Sequence, residues 1–348
     1  MSKYLVVSIQ RVTIYTNMRK SLFLKSISLR LALLCSIGVT IFLSIQGCDK
    51  KAQLEVTCAN VDLSSCPVDI AVMDTSAGER KVLIIGIDGL RSDAVQPEIS
   101  PTLYDFFQRP AAYSTNRNTI EDLTFSGPNW ASLLTGVHWC KHNVTDNDYS
   151  NNHLTETPHF FSLIEQADSN MNTVSFANWT PINEYSAKPH ADVAPIEPAN
   201  DADIFSMANQ ALLNGSPITP DVLFLHFDEL DGAGHGYGFS ADVAEYVSTL
   251  TTIDGYVEQL LSTIESKRLA GEEWMVFIVT DHGGDGTGHS GGQENEHISR
   301  TIFFIDCPEV VFSSRESAQV DLVPTALKYL GVSSSRFDCY KDGVSLFD

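Results

Sequence analysis

The sequence predicts an α/β fold: a doubly wound, mostly parallel sheet with helices on both faces. Three observations predict it. Residues 82–87, 222–227 and 275–280 are short, continuous apolar runs, the length and composition of strands buried on both faces. Between them lie segments with helical spacing of apolar residues, so strand and helix signals alternate from Lys81 to about residue 332. Each run leads into Asp or His residues beside glycine. Open parallel sheets bind ligands outside the carboxyl ends of their strands, which is where those residues fall.

The chain begins with a leader. Residues 1–47 hold six basic side chains (Lys3, Arg11, Arg19, Lys20, Lys25, Arg30) and no acidic one, and residues 31–47 are almost wholly apolar. A basic start, an apolar stretch and a small residue before the cleavage point describe a secretory signal peptide. Ile45-Gln46-Gly47-Cys48 resembles a bacterial lipobox, which implies cleavage before Cys48 and lipidation of its thiol. An uncleaved signal anchor is the alternative, the apolar run being just long enough to span a bilayer. Either way the rest is exported to the outer side of a cell membrane, on the lipoprotein reading facing the periplasm. Residues 48–79 are polar and read as a tether, and 80–348 as one catalytic domain with a loop-rich insertion at about 143–200.

The chain carries a formal net charge of −22. All six leader charges are positive, so the exported part is more acidic still, with 16 basic residues against 44 acidic ones. Such a surface excludes nucleic acid as an expected partner and electrostatic docking on anionic lipid. After Cys48 come Cys58, Cys66, Cys140, Cys307 and Cys339. An exported chain keeps disulfides. Cys58 with Cys66 and Cys307 with Cys339 are the expected pairs, which would leave Cys140 free; no zinc-knuckle spacing is present.

Within the domain, residues 173–177 and 301–305 read as further buried strands, and 101–108, 128–135, 202–213, 243–267 and 319–330 as helices. Residues 143–200, rich in Asn, Thr, Pro and His, read as loops over the carboxyl edge of the sheet, the position that sets substrate choice.

The chemistry sits at the strand ends. Asp88 ends the first run and precedes Gly89; its carboxylate could hold a cation or cap the next helix. Asp231-x-x-Gly234-His235 puts a carboxylate and an imidazole four residues apart, in a stretch whose glycines read as a shaped loop rather than a helix. Asp281-His282 need the turn at Gly283-Gly284 to bring both side chains inward, and His289 adds an imidazole. Three histidines and three aspartates suit two zinc ions, whereas magnesium alone would favour oxygen ligands. His226, inside its strand, reads as a packed residue or one that supports a ligand from behind. A nucleophile comes from Thr124-Phe125-Ser126-Gly127-Pro128-Asn129. Pro128 near a helix start places Ser126 at the helix N-terminus, where amides and the dipole favour anions. Asn129 could donate to a phosphoryl oxygen, and Thr124 is the alternative nucleophile.

These motifs, Ile87-Asp88-Gly89, Ser126-Gly127-Pro128-Asn129, Thr135-Gly136 with His142, Asp231-x-x-Gly234-His235-x-x-Gly238 and Thr280-Asp281-His282-Gly283, resemble the alkaline phosphatase superfamily, on its type I phosphodiesterase/nucleotide pyrophosphatase branch. The resemblance covers roughly residues 81–332. It implies one zinc on Asp88, Ser126, Asp281 and His282 and another on Asp231, His235 and His289, with His297 a rival for the last place. That branch more often carries threonine followed by Phe-Pro-Asn at the nucleophile. His142 reads as structural.

The expected activity is metal-dependent hydrolysis of phosphate esters, small-molecule phosphodiesters or pyrophosphates, through a phospho-serine at Ser126. Arg91, the one arginine beside a motif, reads as a surface helix residue, which leaves no partner for the second charge of a monoester. A sulfatase is disfavoured because Cys-x-Pro-x-Arg is absent. A phosphomonoesterase, a phosphonate hydrolase, a phospho-group transferase and a lipid-anchored binding protein without turnover are the alternatives.

Overall fold

The apolar run after Arg80 becomes the central strand of a six-stranded sheet. A computed structural model describes residues 62–348 apart from Pro110, Ala111, Thr119 and Asn214. The expected signal peptide, the expected lipidation site Cys48 and Cys58 lie outside the described residues.

In chain order the strands are β1 (Val72–Met73), β2 (Arg80–Ile87), β3 (Tyr113–Asn118), β4 (Thr173–Ala177), β5 (Val222–Phe227), β6 (Glu273–Val279), β7 (Thr301–Asp306) and β8 (Val332–Ser333). The helices are α1 (Pro101–Phe107), α2 (Ser126–Thr135), α3 (Trp139–His142), α4 (Phe161–Ala167), α5 (Asp201–Leu212), α6 (Glu229–Tyr237), α7 (Ala244–Leu269), α8 (Glu296–Ser299), α9 (Leu322–Leu330) and α10 (Ser335–Tyr340). The large sheet runs β3-β7-β6-β2-β5-β4. β6, β2, β5 and β4 are mutually parallel, while β7 runs against both its neighbours.

Side chains alternate across the sheet, and each face has its own core. Val82, Ile84, Val222, Phe224, Met275 and Phe277 meet α2, α4, α9 and α10. Leu83, Ile85, Leu223, Leu225, Val276 and Ile278 meet α1, α5 and α7 on the other face. Central strands apolar on both sides are what helix layers on both sides require. β2, β5 and β6 end at Ile87, Phe227 and Val279, and the register pairs Ile87 with Phe227 and Gly86 with Val279, so the parallel register carried on puts Asp88 beside Asp228 and Asp281.

Three expectations are corrected. The glycine-rich stretch after β5 is the helix α6, not a loop. Glycine costs about 1 kcal/mol per helical position, but Asp201 accepts the N–H groups of Asp228 (2.9 Å) and Glu229 (3.2 Å) and so caps the helix start, and Leu230 and Ala233 are buried beneath it. The insertion at 143–200 contains α4 and a π-helical turn, Ile182–Ala187, besides β4. The disulfide pairing also differs. Cys66 is bonded to Cys339, Cys140 is disulfide-bonded rather than free, and Cys307 is a buried free thiol.

The Cys66–Cys339 bond stitches the segment before β2 to the C-terminal helix. β1 adds to it by pairing with β8, and Asp69 caps α10 by accepting from the N–H groups of Ser335 and Arg336. Among the described residues, no helix is long and apolar enough to cross a membrane.

Candidate metal centre

Asp88, Asp231 and Asp281 converge because three strand ends do. Asp88 follows β2 directly. Gly89 then turns the chain with a positive φ of 68°, and a Cβ there would meet Asp231 Oδ1 at 2.9 Å, so glycine is needed both for the turn and for the approach. Asp231 and His235 lie one turn apart on α6, with His235 Nε2 3.4 Å from Asp231 Oδ2. Asp281 and His282 follow β6 and are both fully buried. The chain leaves them past Gly283, whose N–H donates to Ile298 O (2.8 Å).

The three histidines share one arrangement. His282 Nδ1 faces Gly283 O (2.8 Å), His235 Nδ1 faces Thr287 O (3.0 Å) and His289 Nδ1 faces Thr124 O. A carbonyl oxygen only accepts, so each Nδ1 carries the proton and each Nε2 presents a lone pair. Those lone pairs point at one another and at carboxylates. His289 Nε2 is 3.2 Å from His235 Nε2. His282 Nε2 is 3.2 Å from Asp281 Oδ2 and 3.6 Å from Asp88 Oδ1, and the His282 and His289 rings stack at 4.0 Å.

Three buried carboxylate oxygens, Asp88 Oδ1, Asp231 Oδ1 and Asp281 Oδ2, have no hydrogen-bond partner among the described residues. Burial holds all three carboxyls on the protonated side, and each neighbour's charge adds to it. Asp88 is pushed up to about 8 by burial and then by Asp281, and Asp231 to about 7 by burial and then by Asp88. Asp281 is raised well above the ordinary carboxylate value by burial and then by Asp231. Burial and the nearby His282 drive His289 down to about 3. Acceptor facing acceptor, with orphaned buried oxygens between, is a donor set that fits divalent cations. Ligand atoms of Asp88, Asp281 and His282 lie within 4.8 Å of one another, as do those of Asp231, His282 and His289. His235 abuts the second group, so the residues could hold two ions with His282 between them.

Ser126 is the first residue of α2 and faces this cluster. The helix N-cap is Phe125, so Ser126 is not a capping serine; its Oγ–H donates to His282 Nε2 at 3.2 Å. Thr124 is committed elsewhere, its hydroxyl donating to His289 O while its carbonyl accepts from His289 Nδ1. His297 sits apart, half-exposed against Arg91 and Asp93.

Two other expectations are corrected here. Asn129 cannot donate to a substrate as it stands. It is fully buried, its Nδ2 donates to the carbonyls of Leu123 and Phe125 (both 2.8 Å), and its Oδ1 accepts from Glu121 N and Gln319 Nε2. It fixes the loop that carries Ser126. Arg91 is not a surface residue but is buried, forking onto Asp93 and donating to Phe239 O. His142 is structural as expected, buried between Ser132 Oγ (2.8 Å) and the Val144 N–H (3.0 Å).

The sequence reading missed Asn147, an exposed side chain whose Oδ1 accepts the Gly127 N–H (2.9 Å) one residue from Ser126. It lies in a stretch with no periodicity, and nothing in the sequence ties it to Ser126. It also missed Trp130, whose indole N–H donates to Asp88 Oδ2 (2.8 Å).

Comparison with known proteins bears on the fold and the family. Residues 161–300 match the family model of type I phosphodiesterase / nucleotide pyrophosphatase. The chain is 25% identical over 228 residues to the bovine (Bos taurus) bis(5'-adenosyl)-triphosphatase ENPP4, covering 60% of this chain and 48% of that protein. It is 30% identical over 112 residues to the phosphopentomutase of Vibrio parahaemolyticus, covering 32% and 25%. The chain thus spans about half the length of the first of these relatives and a quarter of the second. Among solved structures, the C-terminal periplasmic domain of EptC from Escherichia coli, in complex with zinc, superposes with a TM-score of 0.57 at 14% identity over 82% of this chain and 90% of that one. Murine ectonucleotide pyrophosphatase/phosphodiesterase 5, in complex with AMP, gives 0.54 at 14% identity over 73% and 96%. At these identities the superpositions speak for the fold alone. Over residues 161–300 the chain is thus similar to the type I phosphodiesterase / nucleotide pyrophosphatase family, and its fold is that of the superposed structures.

Proposed function

We propose that this protein is a metal-dependent hydrolase of small-molecule phosphodiester or pyrophosphate bonds, with Ser126 as nucleophile and two zinc ions as cofactors. The observation that carries the reading is the convergence of three unprotonated Nε2 atoms and three unpartnered carboxylate oxygens beside one serine hydroxyl.

Asp88, Asp281 and His282, with Ser126, would hold one zinc, and Asp231, His235 and His289 the other. Bound there, zinc would supply Lewis acidity, stabilising charge on the phosphoryl oxygens and lowering the pKa of the attacking hydroxyl. The protein's own groups do the rest. Ser126 Oγ attacks phosphorus, the Oγ–P bond forms and the bond to the leaving oxygen breaks. Water then attacks the phospho-serine and Oγ departs, restoring the serine. The 3.2 Å hydrogen bond from Ser126 Oγ to His282 Nε2 holds the hydroxyl at the position the zinc would occupy. The N-terminus of α2, ten residues long, presents its positive dipole end to the phosphoryl group. Asn147, held beside Ser126 through Gly127, takes the substrate-facing role that the buried Asn129 cannot.

Substrate charge favours the diester. Arg91, the one arginine beside a motif, is spent on Asp93 and Phe239 O, and a monoester carries a second negative charge that needs such a partner. Purified protein with zinc is expected to turn over bis-p-nitrophenyl phosphate faster than p-nitrophenyl phosphate. Preference for the monoester would make this a phosphomonoesterase. Bound zinc with no turnover of either would favour a binding protein.

The leader supports export and a lipid anchor at Cys48. Cys48→Ser is expected to move the protein from the detergent to the aqueous phase of a Triton X-114 partition, and an unchanged partition would favour a signal anchor.

A further inference from the structure

Asp88 has two oxygens in unlike surroundings. Oδ1 has no partner among the described residues. Oδ2 has two: the indole N–H of Trp130 at 2.8 Å and Nε2 of His226 at 3.1 Å. Trp130 can only donate. The tautomer of His226 follows from its other nitrogen, since Nδ1 faces the backbone N–H of Trp179 (3.5 Å) and must accept. The proton therefore sits on Nε2, and His226 donates too. Both rings are fully buried and meet edge to face with centroids 4.8 Å apart, so each fixes the other.

The backbone makes room for this arrangement. Gly86 lies two residues before Asp88 on the same face of β2, and a Cβ there would come within 2.4 Å of Trp130 Cη2. Any larger residue would push the indole away. One helix residue, one strand residue and one glycine in the neighbouring strand thus serve a single carboxylate oxygen.

We propose that His226 and Trp130 are positioning residues that commit Oδ2 of Asp88 and so present Oδ1 alone, in one orientation, to a cation shared with Asp281 and His282. The inference rests on the metal-centre reading above and adds residues that touch no cation. It also settles a competing arrangement. Ligand atoms of Asp88, His226 and Asp228 lie within 4.8 Å of one another and could suggest a further ion. An ion held through His226 Nε2 would break its hydrogen bond to Asp88 Oδ2, and one held through Nδ1 would displace the Trp179 N–H.

The test measures zinc binding rather than turnover. Zinc stoichiometry and affinity are read by competition with a chromophoric chelator for wild type, His226→Leu, His226→Gln and Trp130→Phe, with the melting temperature of each metal-free protein taken alongside. Leu and Phe each remove one donor at similar volume. Gln can place an amide N–H near the position of Nε2. His226→Leu and Trp130→Phe are expected to weaken one of two zinc sites about 10–100-fold, the usual cost of losing a group that orients a ligand, and His226→Gln to restore most of that affinity. A purely structural role would shift the metal-free melting temperature, leave affinity unchanged and show no rescue by Gln; that pattern would overturn the inference. So would three zinc ions in wild type falling to two in His226→Leu, which would make His226 a ligand. Wild type that takes up no zinc would overturn the metal-centre reading itself, and this inference with it.

Discussion

Ser126→Ala is expected to lower phosphodiester turnover by roughly three to six orders of magnitude, the range seen when a nucleophile is removed from a working site, while leaving the fold intact. The fold should survive because the hydroxyl serves no structural purpose. It caps no helix, and among the described residues its one hydrogen bond runs to His282 Nε2. Thr124→Ala is expected to behave differently. Its hydroxyl holds the carbonyl of His289, so the change should loosen zinc binding and raise the zinc concentration needed for activity, without removing the covalent step. Rates on bis-p-nitrophenyl phosphate across a zinc titration separate the two. Wild-type turnover in Ser126→Ala together with zinc-independent loss in Thr124→Ala would move the nucleophile to Thr124.

Removing the metal should have the second largest effect, and its pH dependence has a definite sign. In the metal-free protein Asp88, Asp231 and Asp281 all have raised folded-state pKa values. The folded state therefore keeps protons that the unfolded chain has already lost. The stability each contributes is full below its ordinary carboxylate pKa and is lost as pH rises through its folded value, about 7 for Asp231 and about 8 for Asp88. Metal-free protein should accordingly weaken as pH climbs from about 4 to about 8. Bound zinc reverses the preference, because it selects ionised carboxylates and displaces their protons. Zinc at a hundred times its dissociation constant adds about 2.7 kcal/mol, and the gain should grow with pH. Urea midpoints at pH 5 and pH 8, with zinc and with chelator, check this. Parallel pH trends in the two conditions would mean that the carboxyls are not neutralised by the metal.

Much of the fold was legible because its strands are buried on both faces. A continuous apolar run such as residues 222–227 has few other uses, and it is β5 to the residue. β3 was not legible. Tyr113–Asn118 reads Tyr-Ser-Thr-Asn-Arg-Asn and lies at the sheet edge against β7, so it needs no apolar run. The helix α6 was hidden by its three glycines, since the cap that holds it comes from Asp201, far back in the sequence. Disulfide pairing was hidden for the same reason. Cys66 and Cys339 are 273 residues apart, and only the tertiary fold brings them together.

The candidate site was legible as a set of residue types at strand ends, and the structure brings together Asp88, Ser126, Asp231, His235, Asp281, His282 and His289. What the sequence lacked was the supporting cast. Asn129 looked like a donor because it follows Ser126 by three residues, yet four hydrogen bonds consume its amide. Trp130 carried no sequence signal of a role at the site; it is core apart from its indole N–H, which reaches Asp88. Such roles depend on which atom of a side chain points where, and that is a property of packing rather than of spacing.

The most direct measurement is anomalous diffraction at the zinc edge from a crystal of the zinc-loaded protein. The expected result is two peaks beside Ser126, one among Asp88, Asp281 and His282 and one among Asp231, His235 and His289. Crystals that bind zinc elsewhere, or that leave both clusters without a peak under saturating zinc, would contradict the metal centre and the hydrolysis built on it.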